Sequence, residues 1–182
     1  MIRLMIGAAC AFVLMQTAWA QTPQPYAGLE TRPIKALSEQ QIADLKAGRG
    51  MGLALAAELN GYPGPVHVIE LAPALELSET QRARVQALFE AMKAETIPLG
   101  EKLIAEEAAL DWQFGDKIVT EASLAAATRA IGTTQAALRA AHLKYHLATA
   151  AALTPPQIER YAALRGYAGK TPAAHPHGGH RP

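Results

Sequence analysis

Two histidines, His142 and His146, stand four residues apart in a segment whose apolar spacing predicts a helix. Side chains at this spacing share one helix face, with Cβ atoms about 5–6 Å apart. Neutral imidazole is a common ligand of divalent transition metals. The pair is therefore a candidate chelate for Zn, Cu, Ni or Co. The alternative is two half-exposed histidines beside a packing seam that contains Leu138 and Tyr145.

A second pair, His67 and Glu70, shares one face of a short predicted helix. If that helix folds back, the two side chains can complete a site with His142 and His146. The alternative is an ordinary surface pair. Met51 and Glu58 give a weaker signal of the same kind.

The C-terminal segment 168–182 contains His175, His177 and His180 but no apolar face, so we predict a disordered tail. Histidine-rich tails can bind metal. Binding by such a tail is expected to be weak because ordering the chain costs conformational entropy. The alternative is a solvated tail without a ligand.

No arrangement of nucleophile and base is visible, and we expect that the protein is not an enzyme and requires no cofactor. The glycines of "GRGMG" resemble a phosphate loop only superficially, because no strand precedes them. Glu106, Glu107 and Asp111 are predicted to be solvated carboxylates on a helix surface.

The first twenty residues have the features of a signal peptide: Arg3, an apolar run from Leu4 to Leu14, and the cleavage pattern Ala18-Trp19-Ala20. The apolar run is too short to span a bilayer. Cleavage after Ala20 removes the single cysteine, Cys10. It also leaves 16 basic residues, one fewer than the 17 of the whole chain, against 16 acidic residues. A neutral mature chain has no strong field to attract nucleic acid.

One short phrase occurs three times, as "LSEQQ" at 37–41, "LSETQ" at 77–81 and "LTPPQ" at 153–157. A hydroxyl residue followed three positions later by Gln is a capping box, which satisfies two orphan donors at a helix start. In the third copy, Pro155 falls at the first helical position, where its missing N–H costs nothing. The phrase therefore predicts three helix starts.

The remaining pattern predicts an all-α domain over residues 37–167, preceded by an extended Pro-rich arm at 21–36. We predict a first helix from Ser38 to about Asn60, weakened by glycines, and a short helix that ends near Pro73. Two long helices follow, the first kinked at Pro98 and the second capped by Thr120. A last helix runs from Pro155 to about Gly166. Apolar residues recur at steps of three and four in both long helices, at Val85, Leu88, Met92, Leu99, Leu103 and Leu110 and at Leu124, Ile131, Leu138, Tyr145 and Ala148.

These elements predict a long antiparallel helical hairpin with short flanking helices at its open end. One hairpin cannot bury both apolar stripes, so we expect a homodimer. The mature chain is not expected to span a membrane.

The signal peptide and the two boxes that bracket a long hairpin resemble the Spy/CpxP family of periplasmic proteins with the LTxxQ motif. That group includes zinc-resistance-associated proteins and CnrX-type heavy-metal sensors. The resemblance covers residues 38–167 and rests mainly on "LSETQRARVQALFEAM" and "LTPPQIERYAALRGY". It implies a periplasmic, cradle-shaped, all-α dimer. Pro98 interrupts the long helix, and the first helix lacks a pair of histidines one turn apart, so the sequence departs from the CnrX-type pattern.

The resemblance implies two functions. The first is an ATP-independent chaperone or envelope-stress adaptor that binds unfolded envelope proteins or a sensor partner on a concave face. The basic residues that would rim such a face lie along both long helices, at Arg82, Arg84, Lys93, Lys102, Arg129, Arg139 and Lys144. The alternative is a heavy-metal sensor or resistance protein, in which His142 and His146 approximately match a His and Met pair of the CnrX-type sensors. Metal binding by the mature chain discriminates between the two.

Overall fold

The computed structural model describes residues 24–167, and this part of the chain contains helices and no strand. The prediction of an all-α protein is confirmed. A 3₁₀ helix at Leu29–Thr31 precedes six α-helices: α1 Glu39–Lys46, α2 Leu55–Glu58, α3 Pro65–Glu70, α4 Glu79–Gly115, α5 Glu121–Ala150 and α6 Pro155–Leu164. The predicted signal peptide, residues 1–20, and the histidine tail, residues 168–182, lie outside the described residues.

Two segments differ from the prediction. The arm is not extended over residues 24–36, because it contains turns and the 3₁₀ helix, and Ile34 is buried against the long helices. The first helix does not continue to Asn60 but ends at Lys46, and α2 is a separate single turn. Gly48 has a φ of 66° and Met51 a φ of 44°, a left-handed backbone that no helix can continue through.

The long helices α4 and α5 pack along each other and carry the central apolar cluster. Its buried members come from the arm, from α1 and from both long helices: Ile34, Leu37, Leu45, Leu103, Ile131 and Leu138. Helix α4 continues through Pro98 without a break. Two residues beyond it, a Cβ on Gly100 would overlap the carbonyl oxygen of Leu45. Glycine therefore lets the end of α1 lie directly on α4.

Helices α2, α3 and α6 gather around the start of α4 and the end of α5, a region that we call the covered end. Its apolar cluster contains Val68, Leu75, Leu77, Val85 and Tyr161. At the other extremity, residues 112–124 form what we call the α4–α5 turn. There Trp112, Phe114 and Ile118 are 58%, 54% and 52% exposed. None of the helices in residues 24–167 combines the length and apolar character needed to cross a membrane.

The first two capping boxes form as predicted. The hydroxyls of Ser38 and Ser78 accept from the backbone N–H of Gln41 and Gln81, whose side chains accept from the serine N–H. At the third box, the side chain of Gln157 accepts from the N–H of Thr154 at 2.9 Å, but the threonine hydroxyl donates to the same oxygen.

The second and third boxes are joined through their glutamines. Gln81 donates to Gln157 at 2.7 Å, and Gln157 donates back to Gln81 at 3.1 Å. Each amide also donates to a backbone carbonyl, Gln81 to that of Ala152 and Gln157 to that of Leu75. The repeated phrase thus caps two helices and fastens their starts together.

Candidate metal centre

The two histidines of α5 point into the covered end. His142 is 2% exposed and His146 is 8% exposed, so the alternative of a half-exposed pair is wrong. Both lie on the face of α5 that also buries Leu138 and Ala141. Burial of two ionisable rings is costly unless their polar atoms have partners, so the partners of each ring carry information about its role.

A cavity of about 180 Å³ lies beside this histidine pair. Three predicted site residues, His67, His142 and His146, line it. Glu58, Met51 and Met92 line it as well. The fourth predicted residue, Glu70, is not among the lining residues. Nitrogen, carboxylate and thioether donors therefore surround one small space, a set that suits borderline and soft divalent ions.

Helix α5 and the turn before α3 fix the tautomer of His146. Its Nδ1 lies 2.7 Å from the carbonyl oxygen of Tyr62. A carbonyl only accepts, so Nδ1 carries the proton and donates, which leaves the lone pair on Nε2. Metal-binding histidines characteristically donate their second ring nitrogen to a carbonyl or carboxylate, which orients the ring.

His142 has an unsatisfied atom. Its Nε2 is buried and has no hydrogen-bond partner among residues 24–167. Burial lowers the pKa of His142, and the neighbouring His146 lowers it further. A neutral ring is the form that ligates a metal, because the lone pair must be free.

Gly64 provides the room for the His146 ring. A Cβ at this position would lie 2.9 Å from Cε1 and 3.1 Å from Nε2 of His146. The backbone of Gly64 has ordinary extended angles, so the approach of the ring, and not the backbone conformation, requires glycine here.

Helix α3 brings His67 to the cavity and keeps Glu70 outside it. His67 Nδ1 and Glu70 Oε2 are 3.0 Å apart, and Glu70 is exposed. Glu70 is placed to orient the His67 ring and not to reach the histidine pair on α5.

Glu58 is the carboxylate that faces His146. Its Oε2 accepts from the N–H of Gly64 at 3.0 Å and lies 3.7 Å from His146 Nδ1. Its Oε1 accepts from the hydroxyls of Tyr161 and Tyr167. Burial, and then the hydrogen bond to Glu58, raise the pKa of Tyr161, which keeps the phenol a neutral donor.

In residues 24–167 no three His, Cys, Asp or Glu side chains are grouped closely enough to hold a metal ion as they stand. Completing a coordination sphere at the histidine pair thus requires a methionine sulfur, water, or a rotation of Glu58 away from its present donors. A larger cavity of about 720 Å³ lies elsewhere, between α1 and α5, and is lined mainly by apolar side chains such as Leu45 and Leu138.

The sequence indicated the histidine pair but underrated Glu58. A single glutamate among Ala and Leu residues gives no sign of the tyrosines that hold it, because Tyr161 and Tyr167 lie 103 and 109 residues further along the chain. The roles of the Tyr62 carbonyl and of Gly64 also depend on tertiary contacts alone.

Comparison of the chain with protein-family models, with curated proteins and with solved structures found no match.

Proposed function

We propose that this protein binds a divalent transition metal at the histidine pair of the covered end and acts as a periplasmic heavy-metal sensor or resistance protein. The observation that carries the proposal is the pair of buried imidazoles beside a cavity that Glu58, Met51 and Met92 also line. The hydrogen bond from Nδ1 of His146 to the carbonyl of Tyr62 leaves the lone pair of that ring on Nε2. In His142, Nε2 is buried and has no hydrogen-bond partner among the described residues.

His142 and His146 would hold the ion, and Glu58 or a methionine would complete its coordination. His67 is the most accessible further nitrogen, since its side chain is about one-third exposed (34%) while it lines the same cavity. Zn, Cu, Ni and Co all accept imidazole nitrogen, and the two thioethers favour the softer ions of this group.

The test is a calorimetric titration of the full chain with Zn²⁺, Cu²⁺, Ni²⁺ and Co²⁺. Replacing His142 and His146 together by Ala is expected to abolish tight binding. Replacing His175, His177 and His180 by Ala is the matched control, and it should leave tight binding nearly unchanged because helix-borne ligands are preorganised. Binding that disappears with the tail histidines and survives without the helix pair contradicts the proposal.

A second candidate function is that of a chaperone or stress adaptor, and the exposed apolar side chains of the α4–α5 turn favour it. Trp112, Phe114 and Ile118 lie within one stretch of seven residues and are all more than half exposed. Contiguous apolar surface of several hundred Å² on a soluble protein characteristically marks an interaction site. Such a surface suits transient contacts with unfolded envelope proteins or with a sensor partner.

This function is tested by diluting a chemically denatured client protein into buffer and following its aggregation by light scattering. The wild-type chain is expected to suppress the scattering, and the triple change of Trp112, Phe114 and Ile118 to Ser is expected to abolish that suppression. Equal suppression by both proteins excludes the turn as the client surface.

We further propose that α4 and α5 form an antiparallel hairpin and that two copies associate as a cradle-like dimer. The sequence of contacts along the two helices supports the hairpin, since Gln81 meets Ala152 and Glu95 meets Tyr145. The exposed turn provides apolar surface for a second copy. Sedimentation equilibrium of the mature chain at micromolar concentration tests the dimer, and a stable monomer contradicts it.

A further inference from the structure

Glu58 connects the candidate metal centre to the last helix. The carboxylate is 8% exposed. Its Oε2 faces the N–H of Gly64 and the ring of His146, and its Oε1 faces the end of α6. Tyr161 and Tyr167 donate to that oxygen, the latter at 3.2 Å. Arg165 Nε lies 3.8 Å from the same oxygen. We call Tyr161, Arg165 and Tyr167 the clasp.

The two ends of α6 are attached by different contacts. At its start, Gln157 bonds Gln81 and the carbonyl of Leu75. In its middle, Arg160 forms an ion pair with Glu76 at 2.7 Å, and both side chains are at least half exposed. Exposed pairs of this kind contribute little. At the end of the helix, Tyr161, Arg165 and Tyr167 all contact Glu58, and Arg165 also donates to the hydroxyl of Tyr167 at 3.3 Å.

We propose that Glu58 is a shared ligand: a divalent cation that binds His142 and His146 draws the carboxylate away from the clasp and releases the end of α6. This inference rests on the metal-binding function proposed above, and it states how metal binding at that site would change the attachment of α6. The segment that loses these contacts runs from Tyr161 to Tyr167, and the ring of Tyr161 also packs in the apolar cluster of the covered end.

The present position of the carboxylate makes the two states exclusive. Glu58 lies on the protonated Nδ1 side of His146 and is not grouped closely enough with the two histidines to bind an ion without turning. Oε1 already accepts two phenol hydrogen bonds, and Oε2 already accepts one backbone hydrogen bond. A carboxylate that turns to a cation has to give up part of this set, and hydrogen bonds to a charged acceptor are among the stronger ones. The phenols then keep their protons and lose their buried acceptor, which favours their exit to water.

Charge acts in the same direction. Arg165 lies close to Glu58 in the cation-free state and is attracted by its negative charge. A bound divalent cation cancels that charge and repels the guanidinium across a poorly hydrated space. By linkage, the factor by which a bound cation weakens the clasp equals the factor by which the closed clasp weakens cation binding.

The chain offers a matched pair of variants to test this coupling. Tyr161→Phe with Tyr167→Phe removes both phenol donors and keeps both rings. Tyr145→Phe is the control, because Tyr145 donates to a different carboxylate, Glu95, at 3.1 Å. Co²⁺ is the probe, since its absorption spectrum reports coordination directly. We expect the clasp variant to bind Co²⁺ about 5-fold more tightly or better, and the control to match wild type.

Hydrogen exchange of residues 155–167 provides the second readout on the full chain. In wild type, exchange in this segment is expected to accelerate when Co²⁺ is added. In the clasp variant it should be fast without the ion and change little with it. Glu58→Gln keeps an acceptor for the tyrosines but is a poor ligand, so it should bind Co²⁺ more weakly and keep α6 protected with the ion present.

The outcomes separate the two proposals. If the wild-type chain does not bind Co²⁺, the metal site is wrong and this inference falls with it. If wild type binds Co²⁺ but the clasp variant shows unchanged affinity, the coupling is overturned while the metal site stands. Unchanged exchange of α6 on addition of Co²⁺ to wild type overturns the coupling in the same way.

Discussion

The covered end and the α4–α5 turn lie on the same two helices and are built in opposite ways. At the covered end, side chains far apart in sequence bond each other, as Gln81 does with Gln157 and Glu58 does with Tyr161. At the turn, hydrogen bonds are local, as in the capping pair of Thr120 and Ser123. The covered end contains a buried apolar cluster, although Leu55 and Leu59 on its surface are exposed, whereas Trp112, Phe114 and Ile118 at the turn are all more than half exposed. Long-range side-chain contacts therefore stabilise the covered end, whereas towards the turn the long-range side-chain hydrogen bonds of residues 24–167 stop at the pairing of Lys35 with Asp111.

The largest difference is expected for two leucines. Leu75→Ala, at a side chain 1% exposed in the covered end, should destabilise the fold by about 2–5 kcal/mol because it leaves a cavity. Leu124→Ala, at a side chain 37% exposed in the turn, should change stability by roughly 0.5 kcal/mol or less. Urea unfolding followed by circular dichroism measures both. A large loss for Leu124→Ala means that the turn is buried in solution, as a dimer interface there requires.

Replacing one glycine by alanine at each end adds a single methyl group to each region and sharpens the comparison. Gly64→Ala places a Cβ 2.9 Å from the His146 ring and should destabilise the fold by about 1–3 kcal/mol. Gly115→Ala meets nothing within 4 Å and should be neutral or stabilising by up to about 1 kcal/mol, since alanine favours helix. Thermal unfolding of both variants checks this. Equal stability of the two would mean that His146 does not occupy the space against Gly64.

The capping boxes give a third pair. Gln157→Ala leaves the N–H of Thr154 and the carbonyl of Leu75 without their partner, so a loss of about 1–2 kcal/mol is expected. Ser123→Ala removes a local, exposed cap contact and should cost roughly 0.5 kcal/mol. If chemical denaturation shows that Ser123→Ala is the more destabilising change, the hydrogen bonds between Gln81 and Gln157 do not stabilise the covered end.

The smallest difference concerns pH. Burial lowers the pKa of His142, so below about pH 6.5 the unfolded chain binds a proton that the folded chain resists. Stability should therefore fall as the pH drops from about 7 towards 5, and His142→Leu should remove part of that slope. The groups that share the cavity are His146, His67 and Glu58. Hydrogen exchange should accelerate at residues 140–150 and not at residues 121–130, and uniform acceleration contradicts this assignment.

Sequence patterns predicted the parts of the fold that depend on neighbours in the chain. Capping residues and periodicity located α3, α4, α5 and α6 to within a few residues. The prediction of a long first helix was wrong because the backbone of Gly48 is left-handed. The prediction of an extended arm was wrong because Ile34 is buried in a core formed by distant residues. Glycine count alone does not reveal which glycine adopts a positive φ.

Local spacing along the chain also predicted part of the candidate site, but not the contacts that depend on tertiary packing. The spacing of His142 and His146 placed both rings on one face, but the sequence left open whether that face is buried. The depth of burial depends on α2 and α3 covering that face, as the hydrogen bond from His146 to the Tyr62 carbonyl demonstrates. Glu58 was only a weak candidate, because the residues that hold it come from the last helix and not from its own segment.

The reciprocal hydrogen bonds between Gln81 and Gln157 have a consequence for the order in which the chain folds. Gln81 and Gln157 are 76 residues apart, and α4 and α5 occupy most of the loop between them. Closing a loop of this size is an entropic step that must precede the contact it allows. During synthesis the N-terminal part of a chain emerges first, so the carbonyl of Leu75 and the amide of Gln81 are made before Gln157, their partner. We therefore expect the apolar cluster around Val68 and Leu77 to stay uncovered until Leu153 and Tyr161, two of its other members, have been made.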